Sequence, residues 1–426
     1  MSIYYVSNSG LDTNDGLTPE TPWATIQKVN ATIVAGDEVR FKRGDTFYGT
    51  IYPTRGKNEN EPTIYCDYGE GHKPIITQMK KIKKEAWVEV AENVWRVDLY
   101  DTNNYTGNVS ELDKNVGYMK VDGKLFYDKK FVMENLKKQW DFYCDDDNKT
   151  APYMWIYSEK NPGELAESIE VACEIFGSCF EYDVQFINLY FTGTGAHGIG
   201  IFGKRVLISG CEFHQIGGSR LVWYPHPECR YGNGVEIGGW VDSSDIIVEN
   251  CTFSEVYDVA TTIQGRPETG WKNIHFRNNV IWNCNQAFEI WMEVADKEKD
   301  LGMVDCSFTD NVCINCGYGW GYEARPDKEQ SCPLLFYQFE SDKLKMDITR
   351  NYFYNGRNCS LFKTGPLAEM PKGYNVYGNT FVRKKGQHIA IFHGQNSIED
   401  LEAYDKMIEA TNTVLDLPDH AFESEK

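Results

Sequence analysis

The chain has 426 residues and a formal net charge of −20, and 41% of its residues are hydrophobic. This acidic excess excludes general nucleic-acid binding, because a phosphate backbone requires a basic surface. It also disfavours a long polyanionic substrate, unless the groove that binds it is locally basic. The sequence has no run of about 18 apolar residues, and we therefore predict no membrane span.

The cysteines and the N-terminus both bear on cellular location. Thirteen cysteines, an odd number, are scattered along the chain, which fits reduced thiols better than a disulfide framework. Residues 1–6 lack the charged and apolar segments of a secretory signal and are typical of the start of a strand. We therefore expect a cytoplasmic protein, or a secreted one if a leader has been removed.

The first 46 residues contain the pattern that indicates the fold. A strand, YYVS, leads into a turn-rich stretch of Asn, Asp, Gly and Pro, and a short amphipathic helix follows at residues 24–30. This opening resembles that of right-handed parallel β-helix proteins of the pectate-lyase-like kind, which include many carbohydrate hydrolases and lyases. The resemblance implies an all-β solenoid whose open end is covered by the helix. It also implies a carbohydrate substrate, whereas the reaction must be argued from the site.

We predict one β-helix domain over residues 1–426, with the N-terminal cap and first rungs at 1–50. Residues 101–170 break the rhythm, with a helix-like segment at 130–138 and a strand at 154–157. They predict an inserted β-rich excursion that walls one side of a groove. Regular rungs are expected at 171–395, and residues 396–426 are expected to form a C-terminal helix, at 398–410, and a tail.

A repeating unit is plain from about residue 169 onward. Each unit has an apolar residue, then Asn or another turn-forming residue two positions later, and an apolar residue three positions after that. The spacing between units varies from about 22 to about 40 residues, as loops on one face of a solenoid would produce. One register also contains four asparagines, which predict a ladder of amide hydrogen bonds. The units are Phe186-Asn188-Phe191, Ile208-Gly210-Phe213, Val248-Asn250-Phe253, Phe276-Asn278-Ile281, Phe308-Asp310-Cys313, Ile348-Arg350-Phe353 and Val376-Gly378-Phe381, and the ladder is Asn279, Asn311, Asn351 and Asn379.

The candidate catalytic residues come from three short strands at 235–238, 261–264 and 288–291. Stacked as successive rungs, these strands place Glu236, Thr262 and Glu289 in one outward column. Rungs lie about 4.8 Å apart, so the glutamates would be about 9–10 Å apart at the backbone, with side chains able to converge. Asp258, in the turn before the middle strand, could approach either glutamate. We predict Glu236, Asp258 and Glu289 as catalytic, although an outward glutamate on a β-helix is commonly only solvated.

A second set of residues is predicted to bind substrate. Loops on a rigid scaffold collect binding residues, and one such loop immediately precedes Glu236. Others would share the outward column beside the acids, and one arginine could hold a substrate carboxylate or pair with an acid. The loop residues are Trp223, Tyr224, His226 and Arg230, the column residues are Gln264, Trp291 and Lys363, and the arginine is Arg266.

The cysteines raise the possibility of a metal site. Cys313 and Cys316 have the spacing of zinc ligands, and Cys284 lies nearby in the repeat. However, Cys284 and Cys316 occupy the same repeat position, as do Cys211 and Cys251. Ladders of small buried residues explain them more simply, and we predict no metal site.

Three functions fit these observations. The first is a glycoside hydrolase that uses the three acids, and an aromatic content of 14% suits a sugar cleft. The second is a lyase or epimerase on a uronate-containing polysaccharide, with Tyr224, His226, Arg230 or Arg266 as base or carboxylate partner. The third is a non-catalytic glycan-binding solenoid. No cofactor is predicted, except calcium for a lyase. The expected partner is carbohydrate, and a homo-oligomer is left open.

Overall fold

The computed structural model describes residues 1–146, 151–226, 228–239, 243–265, 270–292, 298, 301–326, 328–337, 344–364, 374–392 and 398–418. Three long parallel sheets, A, B and C, form the sides of a solenoid, and the predicted parallel β-helix is confirmed. Within the described ranges, no helix is long and apolar enough to cross a membrane.

The strands of each sheet follow one another in chain order, so that each coil adds one strand to a sheet. Sheet A contains Ile3–Val6, Glu38–Lys42, Thr63–Tyr68, Tyr182–Ile187, Lys204–Ser209, Ser243–Glu249, Trp271–Arg277, Met303–Thr309, Leu344–Thr349 and Tyr374–Tyr377. Sheet B contains Thr46–Tyr48, Ile75–Thr77, Tyr190–Thr194, Glu212–Ile216, Thr252–Val256, Val280–Trp282, Val312–Ile314, Tyr352–Tyr354, Thr380–Arg383 and Thr413–Asp416. Sheet C contains Ser178–Cys179, Ile199–Ile201, Val235–Gly239, Val259–Gly265, Gln286–Met292, Leu334–Tyr337, Leu361–Lys363 and Ala390–Phe392.

The repeat predicts the strand register of sheets A and B correctly. First residues of successive units, such as Phe186 and Ile208, are Cα partners in sheet A throughout the repeat. Third residues, such as Phe191 and Phe213, are partners in sheet B. Every middle residue has a positive φ, between 54° and 65°. The chain turns there from sheet A to sheet B through a left-handed residue, which Gly and Asn adopt at the lowest cost.

The asparagine ladder is confirmed and is longer than predicted. The Nδ2 of Asn279 donates to Oδ1 of Asn311 at 3.0 Å, and the same bond continues up the stack. Asn379 donates in turn to Asn412 at 2.9 Å. At the N-terminal end of the ladder, the backbone N–H of Cys251 donates to Oδ1 of Asn279. The asparagines therefore follow directly after Cys211 and Cys251, which occupy the same repeat position in the two preceding coils. Each side chain thus satisfies backbone groups that the turn would otherwise bury unpaired.

Helices cover both ends of the solenoid core. The N-terminal helix, Ile26–Thr32, begins after Thr25, whose hydroxyl accepts a hydrogen bond from the backbone N–H of Lys28, and it buries Ile26 and Val29 in the core. The C-terminal helix, Ile398–Glu409, packs Tyr404 against Phe392 with 3.9 Å between ring centroids. Both helices confirm the predicted caps. The other helices are Pro162–Leu165 and Trp320–Ala324, with short 3-10 turns at Lys84–Ala86, Thr102–Asn104, Met133–Asn135 and Lys328–Gln330.

The excursion consists of two sheets with a core of their own. One sheet is antiparallel, and the other is antiparallel except for the parallel pair of Lys129–Lys130 with Phe142–Cys144. It begins at Lys80 and ends at Ala172, so it starts earlier in the chain than the predicted bound at residue 101. One sheet orders Lys124–Phe126, Tyr118–Val121, Ile169–Ala172, Lys80–Ile82 and Tyr105–Gly107. The other orders Lys129–Lys130, Phe142–Cys144, Tyr153–Tyr157, Val94–Asp98 and Val88–Ala91.

The predicted helix at residues 130–138 is wrong. Only a 3-10 turn, Met133–Asn135, forms in this segment. The carboxylate of Asp141 accepts hydrogen bonds from the backbone N–H groups of Lys137 and Lys138, at 3.0 and 2.9 Å. These bonds occupy donors that a continuing helix would use, because Asp competes with the helical backbone for such groups.

We expect Asn311→Ala to destabilise the protein by about 2–4 kcal/mol. The side chain of Asn311 is fully buried, and its loss leaves Asn279, Asn351 and the carbonyl of Phe276 without their partner. Chemical denaturation monitored by circular dichroism measures the effect. The exposed loop variant Asn60→Ala is the control and should lie within about 0.5 kcal/mol of the wild type. Equal stability of the two variants would contradict a stabilising ladder.

Candidate active site

The predicted column of acids exists on the outer face of sheet C. Glu236 is the Cα partner of Thr262, which is the partner of Glu289. The residues before and after each of them in the strands point into the solenoid, and Val235 and Ile237 are fully buried there. Because successive side chains of a strand point to opposite faces, the side chains of Glu236 and Glu289 both point outward. Their backbones lie about 9–10 Å apart.

Glu236 is held by a histidine and an asparagine. Its Oε2 accepts a hydrogen bond from Nδ2 of Asn233 at 2.9 Å and lies 3.1 Å from Nε2 of His197. The backbone N–H of Asn233 donates to Nδ1 of His197 at 2.9 Å. Because Nδ1 accepts, the proton of a neutral imidazole is on Nε2 and points at the carboxylate. Both donors leave Oε1 as the oxygen that can take part in chemistry.

Asp258 forms an ion pair with an arginine that is distant in sequence. Nη1 of Arg325 donates to its Oδ1 at 2.8 Å, and the arginine side chain is 8% exposed. The guanidinium also lies over the ring of Tyr257, 5.5 Å from its centroid. This contact orients Arg325 towards the carboxylate of Asp258.

Glu289 is the acid whose protonation differs most from that of a free glutamate. Its side chain is 8% exposed, and its Oε2 accepts hydrogen bonds from Nε2 of Gln264 at 2.8 Å and from the hydroxyl of Thr262 at 3.3 Å. Burial and the nearby charge of Asp258, followed by that of Glu236, raise the pKa of Glu289 from 4.5 to about 8. Glu289 is therefore protonated at neutral pH, while Asp258 is ion-paired.

The site thus has the asymmetry that acid/base catalysis needs. A protonated carboxyl can donate a proton, and an ionised carboxylate across the column can accept one. Of the predicted binding residues, Gln264 contacts Glu289 directly, and Trp291 is its half-buried Cα partner in the next strand of sheet C.

The predicted loop forms a hairpin whose strands are Ser219–Arg220 and Arg230–Tyr231. Trp223 near its tip is 76% exposed, and Tyr224 packs between Trp223 and His226, with ring centroids 6.0 and 5.6 Å away. The hairpin is joined to the site by its second strand, because the ring of Tyr231 lies edge-on against His197 at 5.1 Å.

Arg230 lies at the base of this hairpin and not at the acids. It is 4% exposed, and its guanidinium stacks on Tyr257 at 5.0 Å. Its guanidinium donates hydrogen bonds to the backbone carbonyl groups of Gly117, Tyr127, Gly218 and Ala324. Arg230 therefore fastens the hairpin to the excursion and to the helix Trp320–Ala324.

Lys363 is not in the predicted column. It pairs with Phe336, in the register of inward residues such as Ile290, whereas the partner of Trp291 is Tyr337. Lys363 is 1% exposed, and burial lowers its pKa. The sequence reading placed its strand one residue out of register, which moves a side chain to the other face. Arg266 lies outside the described residues.

Sequence reasoning missed His197, Asn233 and Arg325. His197 had a signal: His-Gly-Ile-Gly at residues 197–200 aligns with Asn-Gly-Val-Glu at 233–236, one coil later. No feature of the sequence pointed to Arg325, because it lies in a loop that is not part of the repeat. Among the residues with described positions, no group of three or more His, Cys, Asp and Glu side chains is arranged to hold a metal ion.

Comparison with known proteins identifies the fold. A family model described as the right handed beta helix region matches residues 175–325. XylC, solved with xylose, superposes with a TM-score of 0.55 at 15% identity over 91% of this chain; the match spans 66% of XylC. The chain is therefore a right-handed parallel β-helix.

Two further structures align with lower scores. The lacto-N-biosidase GH136 from Eubacterium ramulus has a TM-score of 0.47 at 12% identity, covering 98% of this chain and 68% of that one. Pectate lyase Pel9A has a TM-score of 0.41 at 12% identity, covering 90% and 68%. No curated protein sequence matches the chain significantly.

We expect Glu289→Gln to be more stable than the wild type at high pH. The folded pKa of Glu289 is raised, so the wild type loses stability as pH rises from about 4.5 to about 8 and Glu289 gives up its proton in a buried site. Glutamine resembles the protonated form and carries no such loss. The free energies of unfolding of the two proteins should coincide near pH 4 and differ above pH 8 by about 2–4 kcal/mol, in favour of the variant. A constant difference at all pH values would show that Glu289 ionises normally.

Proposed function

We propose that this protein is a glycoside hydrolase in which Glu289 is the general acid and Glu236 is the general base. The observation that carries the proposal is the pairing of a protonated, buried Glu289 with a hydrogen-bonded Glu236 in one outward column. Two such carboxyl groups flanking a scissile bond are the common requirement of glycoside hydrolysis.

In this reaction, Glu289 donates its proton to the glycosidic oxygen while the bond from that oxygen to the anomeric carbon breaks. A water molecule attacks the carbon from the opposite face, and Oε1 of Glu236 accepts a proton from it. The backbones of the two glutamates are about 9–10 Å apart, which leaves room for a water molecule and the sugar between their side chains. We therefore propose inversion of the anomeric configuration.

Asp258 has a different role in this proposal. The ion pair with Arg325 occupies Oδ1 of Asp258, so Asp258 is less suited to activate water than Glu236. Its charge acts on Glu289, since it is the largest electrostatic cause of the raised pKa. Asp258 thus keeps the general acid protonated at neutral pH.

The charges around the column favour a hydrolase over a lyase. A lyase must neutralise the carboxylate of a uronate, whereas this site presents three acids. Arg325 contacts one of these acids, and its guanidinium donates to Oδ1 of Asp258. We therefore propose a neutral carbohydrate as substrate.

The test is a panel of neutral oligosaccharides (xylo-, gluco-, manno- and galacto-oligosaccharides) together with polygalacturonate and alginate. We expect new reducing ends from a neutral substrate, with inverted configuration by NMR, and no ultraviolet absorbance of an unsaturated uronate. Glu289→Gln and Glu236→Gln should each lower kcat by about 10²–10⁴-fold. Glu249→Gln, a surface variant on sheet A, is the matched control and should retain full activity. Unsaturated products would refute the hydrolase.

Charge changes near Glu289 should move the pH profile in opposite directions. Asp258→Asn removes the anion that raises the pKa of Glu289, so the basic limb of kcat/KM should shift to lower pH by about one unit. Arg325→Met removes the cation that lowers that pKa, and the same limb should shift to higher pH. Profiles over pH 4–10 on the same substrate measure both shifts. Shifts of the same sign would contradict Glu289 as the acid.

A further inference from the structure

The outer column that carries the acids continues beyond Glu236 into an aromatic surface. Gly200 is the Cα partner of Glu236, and Cys179 is the partner of Gly200. Ring atoms of Phe176 and Phe202 each lie 3.2 Å from the position that a Cβ on Gly200 would occupy. The absent side chain therefore lets two aromatic rings approach the sheet next to the proposed base.

A third ring extends this surface. Phe180 follows the strand Ser178–Cys179, and its ring centroid is 5.4 Å from that of Phe202. Its side chain is 66% exposed, which makes it one of the most exposed aromatic rings in the described chain. We name Phe176, Phe180 and Phe202 together the aromatic patch.

The backbone of Phe180 is in an unfavourable conformation. Its φ is +67°, a left-handed value that bulky residues rarely adopt. The other left-handed positions in the described coils of this solenoid hold Gly, Asn, Asp or a long polar residue, such as Gly210, Asn188 and Gln215. An exposed phenylalanine at such a position loses stability without filling a core, which points to a use of the ring at the surface.

The aromatic patch is physically joined to the proposed catalytic residues. The ring of Phe176 packs edge-on against His197 with centroids 5.1 Å apart, and His197 contacts Glu236. A ligand bound on the aromatic patch would therefore lie close to Glu236, the proposed base.

A cavity borders the patch. It has a volume of about 250 Å³, and its lining includes Phe176 and Cys179 together with the acidic residues Glu111, Asp113 and Glu174. This volume is below the roughly 300–1,000 Å³ of sites for drug-sized ligands and suits a single ring-sized group. Carboxylates accept hydrogen bonds from hydroxyl groups and repel an anionic sugar.

We infer that the aromatic patch is a subsite for a second, neutral sugar ring of the substrate, on the Glu236 side of the scissile bond. The C–H face of the sugar packs on the exposed rings, and its hydroxyl groups donate to the carboxyl groups of the cavity. This inference rests on the proposed glycoside hydrolase and extends it: the enzyme would act on oligosaccharides with at least one sugar beyond those that flank the cleaved bond.

The variant Phe180→Asn tests the subsite, because it removes the ring and suits the left-handed backbone. We expect kcat/KM to fall about five- to tenfold on tri- and longer oligosaccharides, to stay unchanged on a disaccharide, and Tm to stay equal or rise. Trp282→Ala, which removes an exposed aromatic ring on sheet B, is the matched control and should change neither. Equal kinetics of Phe180→Asn and wild type at every length would overturn the subsite and leave the hydrolase proposal standing.

Binding separates the subsite from catalysis. The same oligosaccharides are titrated calorimetrically into Glu289→Gln and into Glu289→Gln/Phe180→Asn. Weaker binding of the longer oligosaccharides by the double variant supports the subsite, even if the wild type cleaves none of them and the hydrolase proposal fails. No binding by either variant would overturn the subsite. A wild-type dimer in sedimentation that Phe180→Asn dissociates would show instead that the patch binds a second copy, and would also overturn it.

Discussion

Parallel pairing of equivalent positions is the constraint on which the remaining structure depends. In each sheet, a residue of one coil lies against the corresponding residue of the next coil, about 4.8 Å away. The same residue type in successive coils can therefore bond to its own neighbours above and below, as the amides of Asn279 and Asn311 do. Phenylalanine rings such as Phe213 and Phe253, 4.7 Å apart, stack in the core for the same reason. These hydrogen bonds and ring contacts recur from coil to coil and stabilise the solenoid.

The same constraint makes the column of acids costly. Stacking brings Glu236 and Glu289 onto one partly covered face, where like charges repel and burial disfavours ionisation. The structure relieves the conflict differently at each residue: His197 and Asn233 donate to Glu236, Arg325 neutralises Asp258, and Glu289 retains its proton. Unequal surroundings thus leave Glu289 protonated, while Glu236 and Asp258 accept hydrogen bonds from His197, Asn233 and Arg325.

Segments outside the repeat position the residues that contact the acids. Trp320 packs against Tyr118 of the excursion and Tyr257 of the solenoid, with ring centroids 5.4 and 5.2 Å away. Its indole N–H donates to the carbonyl of Glu255 at 2.7 Å, which fixes the helix that leads to Arg325. The buried Arg230 joins the hairpin to the same cluster. Long-range packing of aromatic residues therefore holds in place the loops that supply the partners of the acids.

The sequence by itself determined the solenoid, the register of sheets A and B and the column of Glu236, Thr262 and Glu289, because alternation and repeat position are local properties. It also indicated both caps. It did not determine the extent of the excursion, since antiparallel pairing of Lys80–Ile82 with Ile169–Ala172 joins segments far apart in the chain. Only the tertiary structure brought Arg325 to Asp258 and His197 to Glu236, and moved Lys363 to the inner face. The protonation of Glu289 depends on those contacts, because burial and neighbouring charge are properties of the folded surroundings and not of the residue.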